Sequence, residues 1–301
     1  MKRIISFCSV ILILAGLLSC VSSADPVSGS ADIGGSSVWK VTRGGNTMYL
    51  GGSIHILRES DFPLPEEFDL ALSLADILVL ETDTRQLEED PEIMQYLLVQ
   101  MFLPGDQTLR SVLDLYIYEL LSEACLEYGI PIESLAKFKP SMVVSMLTLF
   151  QMQKLGFVQQ GIDDYYYEKA EKENKPVVFL ESMQSQIDII VSMGDGYENE
   201  YVLYSLYDMD NIEAALDQLL LEWRNGESLI TEESVISMRD QWPQMYKSLI
   251  TDRHDAWMPQ IERFLSSGQV YFVITGLAHM YGPDGLLQLL KNIGCTVEKF
   301  R

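Results

Sequence analysis

The chain contains three histidines, and two of them stand in matched surroundings. His55 ends the tetrapeptide Gly52-Ser53-Ile54-His55, and His279 ends Gly276-Leu277-Ala278-His279. Each follows an apolar run that reads as a buried strand, TMYL before the first and VYFVIT before the second. A glycine three residues ahead of a histidine lets the backbone turn tightly and leaves the imidazole at the strand's carboxyl end. In open α/β sheets that edge is where ligands bind. Two carboxylates occupy similar places: Glu81 follows the apolar run ILVL, and Glu181 follows VVFL.

If these four strands lie parallel in one sheet, His55, His279, Glu81 and Glu181 converge. Two imidazoles and one or two carboxylates form a ligand set for Zn²⁺, Mn²⁺, Co²⁺ or Fe²⁺ that can leave a coordination position open for water. Such a cation lowers the pKa of bound water to about 7 and yields a hydroxide nucleophile. A carboxylate not bound to metal can act as general base, and Arg253 can neutralise a developing oxyanion. The expected metal ligands are therefore His55, Glu81 and His279, and the expected catalytic groups are Glu81, Glu181 and Arg253. Arg253 has a plainer alternative, as the buried partner of Glu81. His254, beside it, is expected to be an exposed first-turn residue of a helix capped by Thr251 or Asp252.

The elements that would carry these residues follow one plan used twice. VWKVTRGGNTMYLGG reads as a hairpin around Gly44-Gly45-Asn46 that delivers the chain to His55. A helix opened by Pro65 and the strand ending at Glu81 come next. The second copy runs from the strand before His279 through a Pro-opened helix to the last strand. Between them, residues 91–103, 111–128 and 140–154 carry helical periodicity. Residues 161–174 make a helix entered through Gly161 and Asp163, and Lys175-Pro176 leads to the strand ending at Glu181. Residues 183–267 are helical. The stripe Met142, Met146, Phe150 and Met152 reads as core. The expected fold is α/β: a mixed, largely parallel sheet built from two related strand-Gly-x-x-His-helix-strand half-units, with a helical insertion between them.

Residues 1–19 read as a signal peptide, with a basic start and an apolar run too short to span a membrane convincingly. Leu17-Leu18-Ser19-Cys20 resembles a bacterial lipobox, which implies cleavage before Cys20 and a lipid on its thiol. Residues 20–37 form a polar Gly/Ser linker, and 38–301 a single folded domain. The expectation is an exported protein of the bacterial cell envelope that meets the membrane through its lipid alone. Cys125 and Cys295 are expected as buried free thiols. A composition 48% hydrophobic and 22% charged leaves ample material for a core. The net charge of -23 repels nucleic acid and favours cationic ligands or divalent metals. No His-Glu-x-x-His, Gly-x-Ser-x-Gly, Walker loop or Gly-x-Gly-x-x-Gly occurs, which argues against classical zincins, α/β-hydrolases and nucleotide enzymes.

Taken together, several segments resemble the TraB/GumN family, whose animal relatives include the Tiki proteases, metalloprotease-type proteins with the same Gly-x-x-His pattern. They are VWKV followed by GGSIH, LET at 80–82, GIDDYYYEKAEKENKPVVFLES, LLLEWRNGE at 219–227, the Arg253 helix and TGLAHMYGPDGLLQLLKNIGCTVEKF. The resemblance implies a metal-dependent peptidase or related hydrolase acting on a peptide or protein, with His55, His279 and Glu81 at the matching metal positions and Arg253 as a nearby functional residue. One departure is His254, where the family commonly has Asn after the arginine. The wider clan also includes erythromycin-esterase-like enzymes and a haem-binding lipoprotein group. Two rival functions therefore stand beside the peptidase: a metal-free esterase in which one histidine is the general base, and a surface protein that binds a peptide signal, iron or haem without catalysis.

Overall fold

The computed structural model describes residues 35–301, which fall into two compact units. The proposed leader, Cys20 and most of the linker lie outside the described residues. One unit, formed by Asp83–Phe157 and Ser182–Glu213, is helical. Its helices Pro91–Gln100, Leu115–Glu127, Pro140–Lys154 and Met183–Val191 match the expected helical stretches. Asp90 caps the first of them by accepting from the Glu92 N–H, and Pro91 occupies the first helical position, where a missing N–H costs nothing. Met142 and Met152 are core residues, whereas Met146 and Phe150 are only half-buried, Phe150 stacking on Tyr128.

The second unit contains 35–82, Val158–Glu181 and Ala214–Arg301. Its strands are β1 (Val38–Arg43), β2 (Asn46–Ser53), β3 (Ile56–Arg58), β4 (Ile77–Leu80), β5 (Phe157–Gln160), β6 (Val177–Phe179), β7 (Tyr271–Gly276) and β8 (Thr296–Lys299). Its helices used below are α1 (Glu66–Leu74), α2 (Ile162–Lys172), α3 (Asp252–Ser266) and α4 (Leu286–Asn292). Six strands form one sheet in the order β6-β4-β7-β2-β1-β8, while β3 pairs with β5. The first four run parallel, and β1 is antiparallel to both of its neighbours. This is the mixed, largely parallel α/β sheet expected from the sequence.

The two copies of the repeat interleave. β2 and β7, the strands that end in Gly-x-x-His, are neighbours, with Gly52 opposite Thr275 and Ser53 opposite Gly276. The connection from β2 through α1 to β4 therefore passes over β7, and the connection from β7 through α4 to β8 passes over β2 and β1. Interior parallel strands are covered on both faces, so β7 reads as an unbroken apolar run and is buried along its whole length. Phe68 of α1 and Tyr166 of α2 stack at 5.7 Å and both meet the edge of Phe272 in β7. A side chain at Gly51 would come within 2.9 Å of Phe68 and 3.0 Å of Phe272, so glycine makes room for this aromatic layer. Trp223, fully buried, donates its indole N–H to the Gly52 carbonyl at 2.8 Å and fixes the turn ahead of His55.

Two local expectations are corrected. Thr251 caps no helix: Pro243–Tyr246 and a π-helical turn, Lys247–Thr251, lead without a break into α3, and Thr251 itself has helical angles. The turn buries Leu249 and Ile250, which holds it against the unit and carries Arg253 and His254 inside rather than into an exposed first turn. His279 lies within a short 3-10 turn, Leu277–Met280, and α4 is not opened by Pro283 but starts beyond it, at Leu286. Cys125 and Cys295 are buried and free, as expected.

The entry to α2 is pressed against the backbone of His55. The Ile162 N–H donates to the Ile54 carbonyl at 3.0 Å, and a Cβ on Gly161 would lie 2.3 Å from the His55 carbonyl carbon. Gly161 has φ -76° and ψ -175°, angles open to other residues, so the requirement is steric. Gly161→Ala is expected to cost about 1–3 kcal/mol through this overlap. The check is urea unfolding: a lower midpoint at unchanged slope is predicted, and an unchanged midpoint would contradict the tight approach.

Candidate functional site at the carboxyl ends of the parallel strands

Each of the four parallel strands contributes one residue to a single edge. In sheet order, Glu181 follows β6, Glu81 follows β4, His279 follows β7 and His55 follows β2. Gly276 lies among them. A Cβ there would be 3.0 Å from His55 Nε2, 3.4 Å from Glu81 Oε1 and 3.6 Å from His279 Cδ2. The missing side chain thus leaves the space that these three groups border. Glu81 Oε1 accepts the Gly276 N–H at 2.6 Å and lies 3.7 Å from His279 Nε2. His55, Glu81 and His279, the residues expected to share a metal, are together.

Arg253, from α3, joins three of the expected residues. Its Nη1 donates to His279 Nε2 at 2.8 Å, and its Nη2 donates to Glu81 Oε2 and, at 2.7 Å, to Glu181 Oε1. Its Nε reaches Glu181 Oε2 at 3.2 Å. The guanidinium lies over the Trp257 ring at 4.5 Å, and the Trp257 indole N–H also donates to Glu181, at 3.2 Å. One fixed positive charge is therefore shared by two buried carboxylates. Burial works against Glu81 ionising, but Arg253, followed by His279 and His55, holds its carboxyl well below the usual range. Burial pushes Glu181 up, against the pull of Arg253. Removing Arg253 alone would strand both carboxylates, a loss of about 3–5 kcal/mol.

The hydrogen bonds of the imidazoles have a fixed direction. His55 Nδ1 lies 2.7 Å from Asp163 Oδ2, whose other oxygen accepts from Ser53 Oγ at 3.1 Å. Burial lowers the His55 pKa, but the Asp163 carboxylate outweighs it and raises the group to about 9. His55 Nδ1 keeps its proton toward Asp163, and Nε2 faces the space beside Gly276. At His279, Arg253 has only donors, so Nε2 accepts. The ring proton is then on Nδ1, 3.0 Å from His254 Nε2, and His254 Nδ1–H donates to the Asp284 carbonyl at 2.6 Å. Burial keeps both rings neutral, lowering His254 to about 4 and His279 well below its ordinary value with help from Arg253.

Asp163, His254 and Asp284 were not anticipated as site residues. Asp163 carries no mark beyond its place at a helix entry, because its role depends on α2 docking beside His55. His254 was legible: it continues the α3 stripe of Trp257, Ile261 and Leu265 at intervals of three and four, and it is 1% exposed. The corrected reading is a buried residue that touches His279.

The donor chemistry suits a borderline divalent cation. Both imidazoles commit Nδ1 outward, to a carboxylate at His55 and to a second imidazole at His279, the arrangement that orients histidine ligands in metal sites. That puts His55 Nε2 beside Gly276, while His279 Nε2 lies 3.7 Å from Glu81 Oε1. Among the described residues, no three His, Cys, Asp or Glu side chains stand at ligating positions as they are, and Arg253 occupies the His279 lone pair.

No solved structure matches the chain significantly. Two relatives called "Uncharacterized protein YbaP", from Escherichia coli (strain K12) and Shigella flexneri, are each 27% identical over 251 residues, covering 82% of this chain and 89% of theirs. A profile of the TraB/PrgY/gumN family matches residues 37–299, a span that takes in every residue of the site. The chain belongs to the TraB/PrgY/gumN family.

Proposed function

We propose that this protein is a hydrolase that holds a divalent cation with His55, His279 and Glu81 and cleaves a peptide bond. The observation that carries the reading is the meeting of His55 Nε2, beside Gly276, with Glu81 Oε1, which lies 3.7 Å from His279 Nε2, while each imidazole is tied at Nδ1. A cation there would supply a water of lowered pKa and polarise a carbonyl oxygen. The peptide as substrate is drawn from the likeness to the Tiki proteases.

The chain's own residues then divide the work. Asp163 orients His55 and favours proton-free Nε2 only when a cation replaces that proton, since the pair alone keeps His55 protonated at neutral pH. Arg253 uses the lone pair of His279 Nε2, so that hydrogen bond and a bound cation exclude one another. Its other donors to Glu181 do not involve that nitrogen. Glu181 already accepts from Arg253 and Trp257 on both oxygens, which makes it the group that holds Arg253 near a developing oxyanion rather than a free general base.

A second reading, metal-free ester hydrolysis, has one observation in its favour: Asp163 and His55 form a carboxylate-oriented imidazole. Against it stands the His55 pKa of about 9, which leaves little neutral base at pH 7. The test is a random peptide library incubated with the full chain and Mn²⁺, Co²⁺ or Zn²⁺. We expect cleavage that a chelator stops and that His279→Ala lowers at least about 100-fold. Cleavage of esters that survives chelation would transfer the assignment to the second reading.

The proposal includes export and a lipid on Cys20, supported by the basic start and Leu17-Leu18-Ser19-Cys20. Bacterial fractionation should find the wild type with the membranes and Cys20→Ser released from them. Equal fractionation of the two would remove the lipid.

A further inference from the structure

We propose that His254 is a positioning residue: it holds His279 in the tautomer with a bare Nε2, and thereby sets the affinity of the site for a divalent cation. The affinity half of this inference rests on the cation reading above; the tautomer half does not.

Two consecutive residues of α3 grip opposite nitrogens of one ring. Arg253 donates to His279 Nε2 at 2.8 Å, and His254 Nε2 lies 3.0 Å from His279 Nδ1. The relay from Arg253 through His279 and His254 to Asp284 has ends of fixed polarity. A guanidinium can only donate, and the Asp284 carbonyl, 2.6 Å from His254 Nδ1, can only accept. Both ends demand the same arrangement, with the proton on Nδ1 of each ring. The rings are buried, His279 at 5% and His254 at 1% exposure, and are flanked by Trp257 at 4.8 and 5.7 Å, so water is a poor substitute for either partner.

The two ends differ in when they operate. A cation held at His279 Nε2 would take the place of the Arg253 hydrogen bond, and the Asp284–His254 end alone would then keep the ring proton on Nδ1. Which nitrogen of a histidine is free is set by the hydrogen bond that the other makes. Without an acceptor at Nδ1, binding a cation would leave a buried N–H unpaired, and the site would bind more weakly.

The test uses the full chain without a histidine tag, labelled with ¹⁵N-histidine; three histidines give a spectrum that single variants assign. In the metal-free wild type at neutral pH, His254 and His279 are both expected with a protonated Nδ1 and a bare Nε2. A proton on Nε2 of His254 would overturn the proposal. Calorimetric titration with Zn²⁺ then compares His254→Phe, which keeps the ring shape without an acceptor, with His254→Gln, whose amide oxygen can accept from His279 Nδ1. The expected result is a Kd weakened about 10–100-fold in the Phe variant and largely restored in the Gln variant. Wild-type affinity in a folded His254→Phe would overturn the affinity half. Absence of Zn²⁺ binding by the wild type would sink the cation reading and the affinity half together, while the ¹⁵N pattern would still decide the tautomer.

Discussion

The positive charge of Arg253, buried between Glu81 and Glu181, is the constraint on which the site depends. A guanidinium does not lose its proton in a protein, so a buried one must be met by carboxylates or by acceptors. Here it is met from three strand ends at once: Glu181 after β6, Glu81 after β4 and His279 after β7. Those ends must lie side by side for the charge to be tolerated, which the sheet order provides. One ion therefore links the register of the central strands to the docking of α3. That guanidinium pulls the pKa of both carboxylates down against the effect of burial.

Much of the site was legible because its residues interrupt apolar runs. His55, His279, Glu81 and Glu181 each stand just past an apolar run that reads as a strand, and their common position predicts convergence on one edge; β6, at the edge of the sheet, is only half-buried. The parallel sheet follows from the same runs, since strands covered on both faces show no alternation. The adjacency of β2 and β7 was not legible. It depends on two crossovers that each pass over another strand, and local periodicity carries no information about that order.

The residues that escaped the sequence act through contacts between elements. Asp163 is one of two aspartates at the start of α2, and only the approach of that helix to His55, permitted by Gly161, turns it into the partner of an imidazole. His254 was misread because a helix start was assumed at Thr251. The π-helical turn carries the helix through that point, and the apolar stripe of α3 then includes His254. Insertions of this kind leave no propensity signal and are frequent at functional sites. Asp284 contributes through its backbone carbonyl, so no feature of its side chain announces that part of its role.

The central claim is that the space beside Gly276 takes a divalent cation between His55, His279 and Glu81. The most direct measurement is the metal content of the folded, untagged chain after equilibration with Mn²⁺, Co²⁺ or Zn²⁺ and removal of free ion, compared with His55→Ala and His279→Ala. The account predicts about one ion per wild-type chain, since the site has a single ligand set of the required chemistry, and loss of that ion in both variants. A folded wild type that retains no ion, or an ion retained equally by both variants, would contradict it.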